Sequence, residues 1–142
     1  MSDRTRTLQQ ERAKHALDRI KKAEEKYQGD TLEKFVSYAE NAPASILING
    51  LGQAAATLCA QAKGNPDDPH RSIYDALQSW LCRDDAAAPY EAGRDLLVAI
   101  TKEDRNSYLH AQAEALAYLE WYKKFAVAFL KKPGRAKTTS EG

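Results

Sequence analysis

The chain has 142 residues, 43% hydrophobic and 29% charged, with 21 Lys and Arg against 20 Asp and Glu and a net charge of +1. That length suits one hydrophobic core, and the charge balance excludes a polycation along the whole chain while leaving room for a local basic surface. Seven glycines and five prolines exclude collagen-like and proline-rich chains, and two cysteines, Cys59 and Cys82, make neither a disulfide scaffold nor a zinc-knuckle spacing. The composition reads as a reduced cytoplasmic protein, with one domain over residues 1–132 and a disordered basic tail over 133–142.

Apolar residues recur at three- and four-residue intervals, and no segment makes a convincing strand. The pattern predicts an all-α fold, a compact bundle of about six helices. The first covers about 8–27, with Ala13, Ala16, Leu17, Ile20, Ala23 and Tyr27 on one face, and Gly29 ends it. The second, about 31–41, turns Leu32, Phe35, Val36 and Ala39 inward. Pro43 is placed to start a third over 43–62, because proline suits the first turn of a helix. Ile46, Leu47, Ile48, Leu51, Ala54, Ala55, Leu58 and Cys59 make this segment apolar nearly all round, the mark of a central helix. A fourth helix is expected over 70–81, burying Ile73, Tyr74, Leu77, Trp80 and Leu81. A fifth runs from Pro89 or Tyr90 to near Ile100, and a sixth, the longest, over 105–131. The third and sixth helices are the expected centre.

Residues 41–62 carry no charge and have the length of a membrane span. Asn41, Ser45, Asn49, Gln53 and Gln61 put too many polar groups there for lipid, so no membrane association is expected. The Arg4, Arg6 and Arg12 region lacks the apolar segment of a secretory signal, and none is expected. Asn49 and Gln53, four apart, read either as amides tying this helix to a neighbour or as contacts to a partner subunit.

Charge is unevenly placed. Residues 1–28 hold 8 basic and 5 acidic side chains, 121–142 hold 6 and 1, and 29–120 hold 7 and 14. Two basic ends flank an acidic middle, and terminal helices packed side by side would merge their charges into one face. On the first helix Arg12, His15, Arg19, Lys22 and Lys26 form a stripe at spacings of 3, 4, 3 and 4. Such a stripe suits a phosphate backbone, or it is ordinary solvated surface. Lys123, Lys124 and Lys131 lie near the end of the last helix, where the helix dipole favours cations in any case. Trp121 beside them is either a stacking or docking residue or the edge of the core.

Catalytic readings find no support. His15, His70 and His110 belong to no metal-ligand motif, no glycine-rich phosphate loop is present, and no serine sits in a strand-to-helix elbow. The acidic pairs at 67–68, 84–85 and 103–104 fit helix caps. No catalytic residue, metal or cofactor is expected.

Three stretches together resemble a known family: the first helix with Arg12, Ala13 and Ala16 and its end at Tyr27; Pro43, then Ile46-Leu47-Ile48-Asn49-Gly50-Leu51 and Gln53; and Tyr108, Glu114-Ala115-Leu116, Tyr118-Leu119, Trp121 and the segment from Lys123 to Ala126. The chain resembles the small helical subunit of the type III-B CRISPR effector, the Cmr complex, over roughly 8–130. Gln112 departs from the threonine expected there, and Leu58 from an aromatic residue. The resemblance implies a non-catalytic antiviral-defence subunit that stacks in several copies along guide and target RNA, against the backbone and large subunits and further copies of itself. It makes Arg12, Arg19, Lys22, Lys26, Lys123, Lys124 and Lys131 candidate nucleic-acid contacts. Asn49, Gln53, Tyr108, Glu114 and Trp121 become structural or subunit contacts. The alternative is a spacer that binds only proteins.

Overall fold

The computed structural model describes residues 6–131; the expected tail at 133–142 lies outside the described residues. Among the described residues five α-helices follow one another, α1 (Leu8–Lys26), α2 (Gly29–Ala62), α3 (Pro69–Leu81), α4 (Leu96–Lys102) and α5 (Arg105–Leu130). Four have side-chain N-caps of the expected chemistry. Thr7 and Gln10 form a reciprocal capping box on α1, and Asp68, Asp95 and Asp104 accept from the first turns of α3, α4 and α5.

The expectation of six helices with the third and sixth central is corrected. Residues expected to form the second and third helices belong to the single element α2, and α2 is the most central helix, packed against α3, α4 and α5. Pro43 does not begin a helix; it lies within one. Proline there removes one backbone hydrogen bond and crowds the carbonyl four residues back. Ala39, Ala42 and Pro43 are all buried, so packing outweighs that local cost. The expected fifth helix also begins later. Residues 83–95 form turns, with Gly93 at φ +77°, and only 96–102 are helical.

The discontinuity in α2 lies at Gly50, where φ is +85° and ψ 158°. A break inside a helix frees the first N–H groups of the next turn, as a helix start does. Two side chains of α5 take them up. The Leu51 N–H donates to Gln112 Oε1 at 2.8 Å, and the Gly52 N–H donates to the Tyr108 hydroxyl at 3.0 Å. Tyr108 and Gln112 are four apart and share a face of α5. Beneath them a single cluster of buried apolar residues draws on all five helices, with Ile20, Phe35, Leu51, Leu77, Leu96 and Leu119 among its members.

Glycine at position 50 is required twice over. Its φ is hostile to side chains, and a Cβ there would sit 3.2 Å from the Tyr108 hydroxyl. Gly50→Ala is expected to destabilise the fold by about 1–3 kcal/mol in urea unfolding. Tyr108→Phe should cost about 1 kcal/mol by stranding the Gly52 N–H. Combined, the two should cost less than their sum, because losing the hydroxyl makes room for the methyl group. Strict additivity would show that the hydroxyl does not crowd this position.

Candidate nucleic-acid interface

Beside the apolar face that Ala16, Ile20 and Ala23 bury, α1 carries a polar edge that meets α3 and α5, and the two ends of that edge differ. At the N-terminal end Arg12 reaches across to Glu114 of α5, its Nε and Nη2 donating to the two carboxylate oxygens, the latter at 2.9 Å. Glu114 is only 6% exposed, and Trp80 Nε1 of α3 donates to it as well, at 2.9 Å. Burial acts to raise the Glu114 carboxyl, but the hydrogen bonds from Arg12 and Trp80 and the nearby guanidinium charges outweigh it and hold the group below the usual carboxylate range. Arg83 lies over the Trp80 ring at 3.7 Å.

One turn on, His15 is held between two hydroxyls. Nδ1 is 2.7 Å from Tyr118 Oη and Nε2 is 2.9 Å from Ser79 Oγ. Desolvation lowers its pKa to about 4, and the charges of Arg19, Arg83 and Lys22 act the same way against the weaker pull of Asp18. The ring is therefore neutral near pH 7, one nitrogen donating and the other accepting. His15 belongs to the joint between α1, α3 and α5, not to a stripe facing solvent.

At the other end of α1 the basic residues remain at the surface. Arg19, Lys22 and Lys26 line a shallow cleft of about 170 Å³ against Ser72 and Asp75 of α3 and Tyr122 of α5. Lys26 Nζ is 3.1 Å from Asp67 Oδ1, and the Asp75 carboxylate is engaged by Arg71 Nε at 2.9 Å. Arg19 and Lys22 have no carboxylate ion pair among the described residues.

The α5 candidates lie elsewhere. Lys124 Nζ is 3.2 Å from Glu120 Oε1 and borders a depression of about 360 Å³ with Gln9, Arg12 and Trp121. Trp121 is half-buried; its Nε1 donates to Gln9 Oε1 at 3.1 Å, and its ring lies 5.6 Å from that of Phe125. Lys131 Nζ is 3.4 Å from Glu40 Oε2 of α2, and Lys123 is half-buried. The single merged basic face expected from the two chain ends is therefore not what the described residues form. Their charges occupy separate places on α1–α3, α1–α5 and α2–α5.

Asn49 and Gln53 are exposed, and among the described residues neither side chain makes a hydrogen bond to another helix. The tie between α2 and α5 comes from Tyr108 and from Gln112, which sequence reasoning marked only as a departure from a pattern. Tyr118 enters the sequence reading only as part of the family resemblance, and Ser79 does not enter it at all. The spacing of four between Tyr108 and Gln112 was the available signal, whereas nothing local pairs Ser79 with His15. Among the described residues no three His, Cys, Asp or Glu side chains group as metal ligands, and no helix is long and apolar enough to cross a membrane.

The family model described as CRISPR-associated protein (Cas_Cmr5) matches residues 8–129, from the first residue of α1 to near the end of α5. The chain belongs to the Cmr5 family. Among solved structures, a CRISPR-associated Cmr5 family protein from Thermus thermophilus is similar, with 25% identity and a TM-score of 0.68, over 89% of this chain and 100% of that one. As a Cmr5-family protein the chain is a non-catalytic small subunit of a type III CRISPR effector complex.

Two outcomes follow for this Cmr5-family subunit. His15 has a folded-state pKa of about 4 against an ordinary 6.5, so between those values the unfolded chain binds the extra proton. Stability is then full above pH 6.5 and falls as the pH drops towards 4. Urea midpoints should show this slope, and His15→Gln should flatten it; an unchanged slope would assign the acid sensitivity to other groups. Glu114→Ala leaves Arg12 and the Trp80 N–H without their acceptor and should cost about 3–5 kcal/mol by the same measurement.

Proposed function

We propose that this subunit contacts the guide and target RNA of its complex through the C-terminal half of α1, by charge and without reading sequence. Several copies stack along the RNA in the cytoplasmic complex, beside the backbone and large subunits. Base pairing between guide and target supplies the selection, so the protein needs only to follow shape and phosphate. The observation that carries this reading is the pair Arg19 and Lys22, adjacent on one edge of α1 and free of any carboxylate ion pair among the described residues. Lys26 extends the edge.

The paired lysines do not oppose it. Lys26 is 39% exposed and its partner Asp67 77%, and an exposed pair of this kind is worth about 0–1 kcal/mol. A phosphate can displace such a carboxylate at small cost. The same argument admits Lys124 and Lys131 as secondary contacts, with Lys123 beside them. Arg12 is different: its guanidinium is committed to a buried carboxylate, so we assign it to the joint between helices.

A spacer reading, with protein contacts only, draws on the carboxylates beside Lys26, Lys124 and Lys131. Charge reversal distinguishes the two. Arg19→Glu with Lys22→Glu should weaken RNA retention by the assembled complex and lower the slope of log affinity against log salt by about 1.4, two contacts at the single-strand value. Retention unchanged across a salt series, with the variant folded and incorporated, leaves the spacer reading standing.

A further inference from the structure

Tyr122 of α5 forms the floor of the cleft that Arg19, Lys22 and Lys26 border, and it is only 1% exposed. Its ring packs against those of Phe35 and Tyr118, at 6.0 and 5.9 Å between centres. The charged groups that act on its phenol are Arg19 and Asp75, both in the cleft wall, so the hydroxyl is the end of the side chain that meets the cleft. That hydroxyl makes no hydrogen bond among the described residues, whereas those of Tyr27, Tyr74, Tyr108 and Tyr118 all have polar partners. Burial pushes the phenol well above its ordinary range, against the pull of Arg19, so it stays protonated. A donor this deeply buried is normally satisfied, and this one has nothing within the fold to donate to.

Ser72 carries the other hydroxyl of the cleft wall, and its proton is already engaged. Tyr27 Oη donates to the Asp67 carbonyl at 2.9 Å, so in the 2.6 Å bond between the two hydroxyls Ser72 Oγ is the donor. These bonds also tie the end of α1 to the start of α3, which holds the two cleft walls together. The charges around Tyr122 do not cancel. Asp75 is paired with Arg71 and Asp67 with Lys26, which leaves Arg19 and Lys22 in excess. The cleft, about 170 Å³, is smaller than the roughly 300–1,000 Å³ that houses a whole small organic ligand. It suits a compact anion whose oxygens accept from several directions.

We infer that this cleft seats one phosphate of an RNA strand, with the Tyr122 hydroxyl donating to it from the floor and Arg19, Lys22 and Lys26 from the rim. The inference rests on the reading of α1 as the RNA contact and adds a fixed point to it. Surface charge alone lets a strand slide along the helix; a buried donor sets where a phosphate lies, and with it the register of the strand on each copy. A terminal phosphate offers the same oxygens. The backbone diester is the expected source, because it recurs along the strand and a terminal group occurs once.

Tyr122→Phe removes one hydroxyl and no charge. In the assembled complex it should weaken the binding of target RNA by about tenfold or more, the loss of a hydrogen bond to a charged group. The slope of log affinity against log salt should stay as it is, since no cation is lost. The urea midpoint of the full-length chain should not fall, because the hydroxyl has no partner within the fold. Unchanged affinity overturns the seat. A lowered urea midpoint also overturns it, by giving the hydroxyl a structural role. RNA stripped of its terminal phosphates should bind as before; a loss as large as that of Tyr122→Phe would put a monoester in the cleft and overturn the backbone assignment. Charge reversal at Arg19 and Lys22 separates this inference from the reading beneath it. If reversal weakens retention and Tyr122→Phe does not, the RNA contact stands and the seat falls; if neither acts, both fall.

Discussion

Glu114 divides the basic side of α1. A carboxylate 6% exposed needs a cation and donors close at hand, and Arg12 and Trp80 supply them from two other helices. That requirement draws the N-terminal end of α1 onto α3 and α5, and His15 follows it into the joint between Tyr118 and Ser79. What remains of the stripe lies one to three turns on, at Arg19, Lys22 and Lys26. The buried pair therefore does two things at once. It orients α1, and it determines which cations are left to meet another charged molecule.

The second constraint is Gly50. A continuous helix of 34 residues would be about 50 Å long, too long to lie across a bundle whose other helices span 7 to 26 residues. The break shortens that span, and α5 stabilises the bend by accepting the freed N–H groups of Leu51 and Gly52. It also pushes Leu47 and Ile48 into solvent at the same place. A strained glycine, two capping side chains and an exposed apolar pair thus have a common cause.

Much of this was legible in the sequence, and the misses have physical reasons. The apolar spacing of α1, α3 and α5 marked those helices to within a few residues, because each has a buried face that repeats with the helical period. Pro43 misled because its local preference is for a helix start, whereas the buried alanines around it are a property of the packed structure. Gly50 carried no sign that its φ would be positive, since glycine also occurs inside helices. Glu114 was named a structural or subunit contact without a partner, because Arg12 is 102 residues away. Asn49 and Gln53 lie in the most apolar stretch of the chain, yet hydropathy averaged along a segment does not say which side of the helix faces inward. The candidate site was visible as a basic stripe; its division into a structural end and a solvent end was not.

The non-catalytic part played by the Cmr5-family subunit accords with this construction, in which polar groups serve packing and position and the surface offers charge without a base-reading device. Ultraviolet cross-linking of the native complex to its bound RNA, with adducts mapped by peptide mass, addresses the claim most directly. The proposed interface predicts adducts on peptides spanning residues 19–26 of α1. Adducts confined to other subunits, or to parts of this chain away from α1, would contradict it.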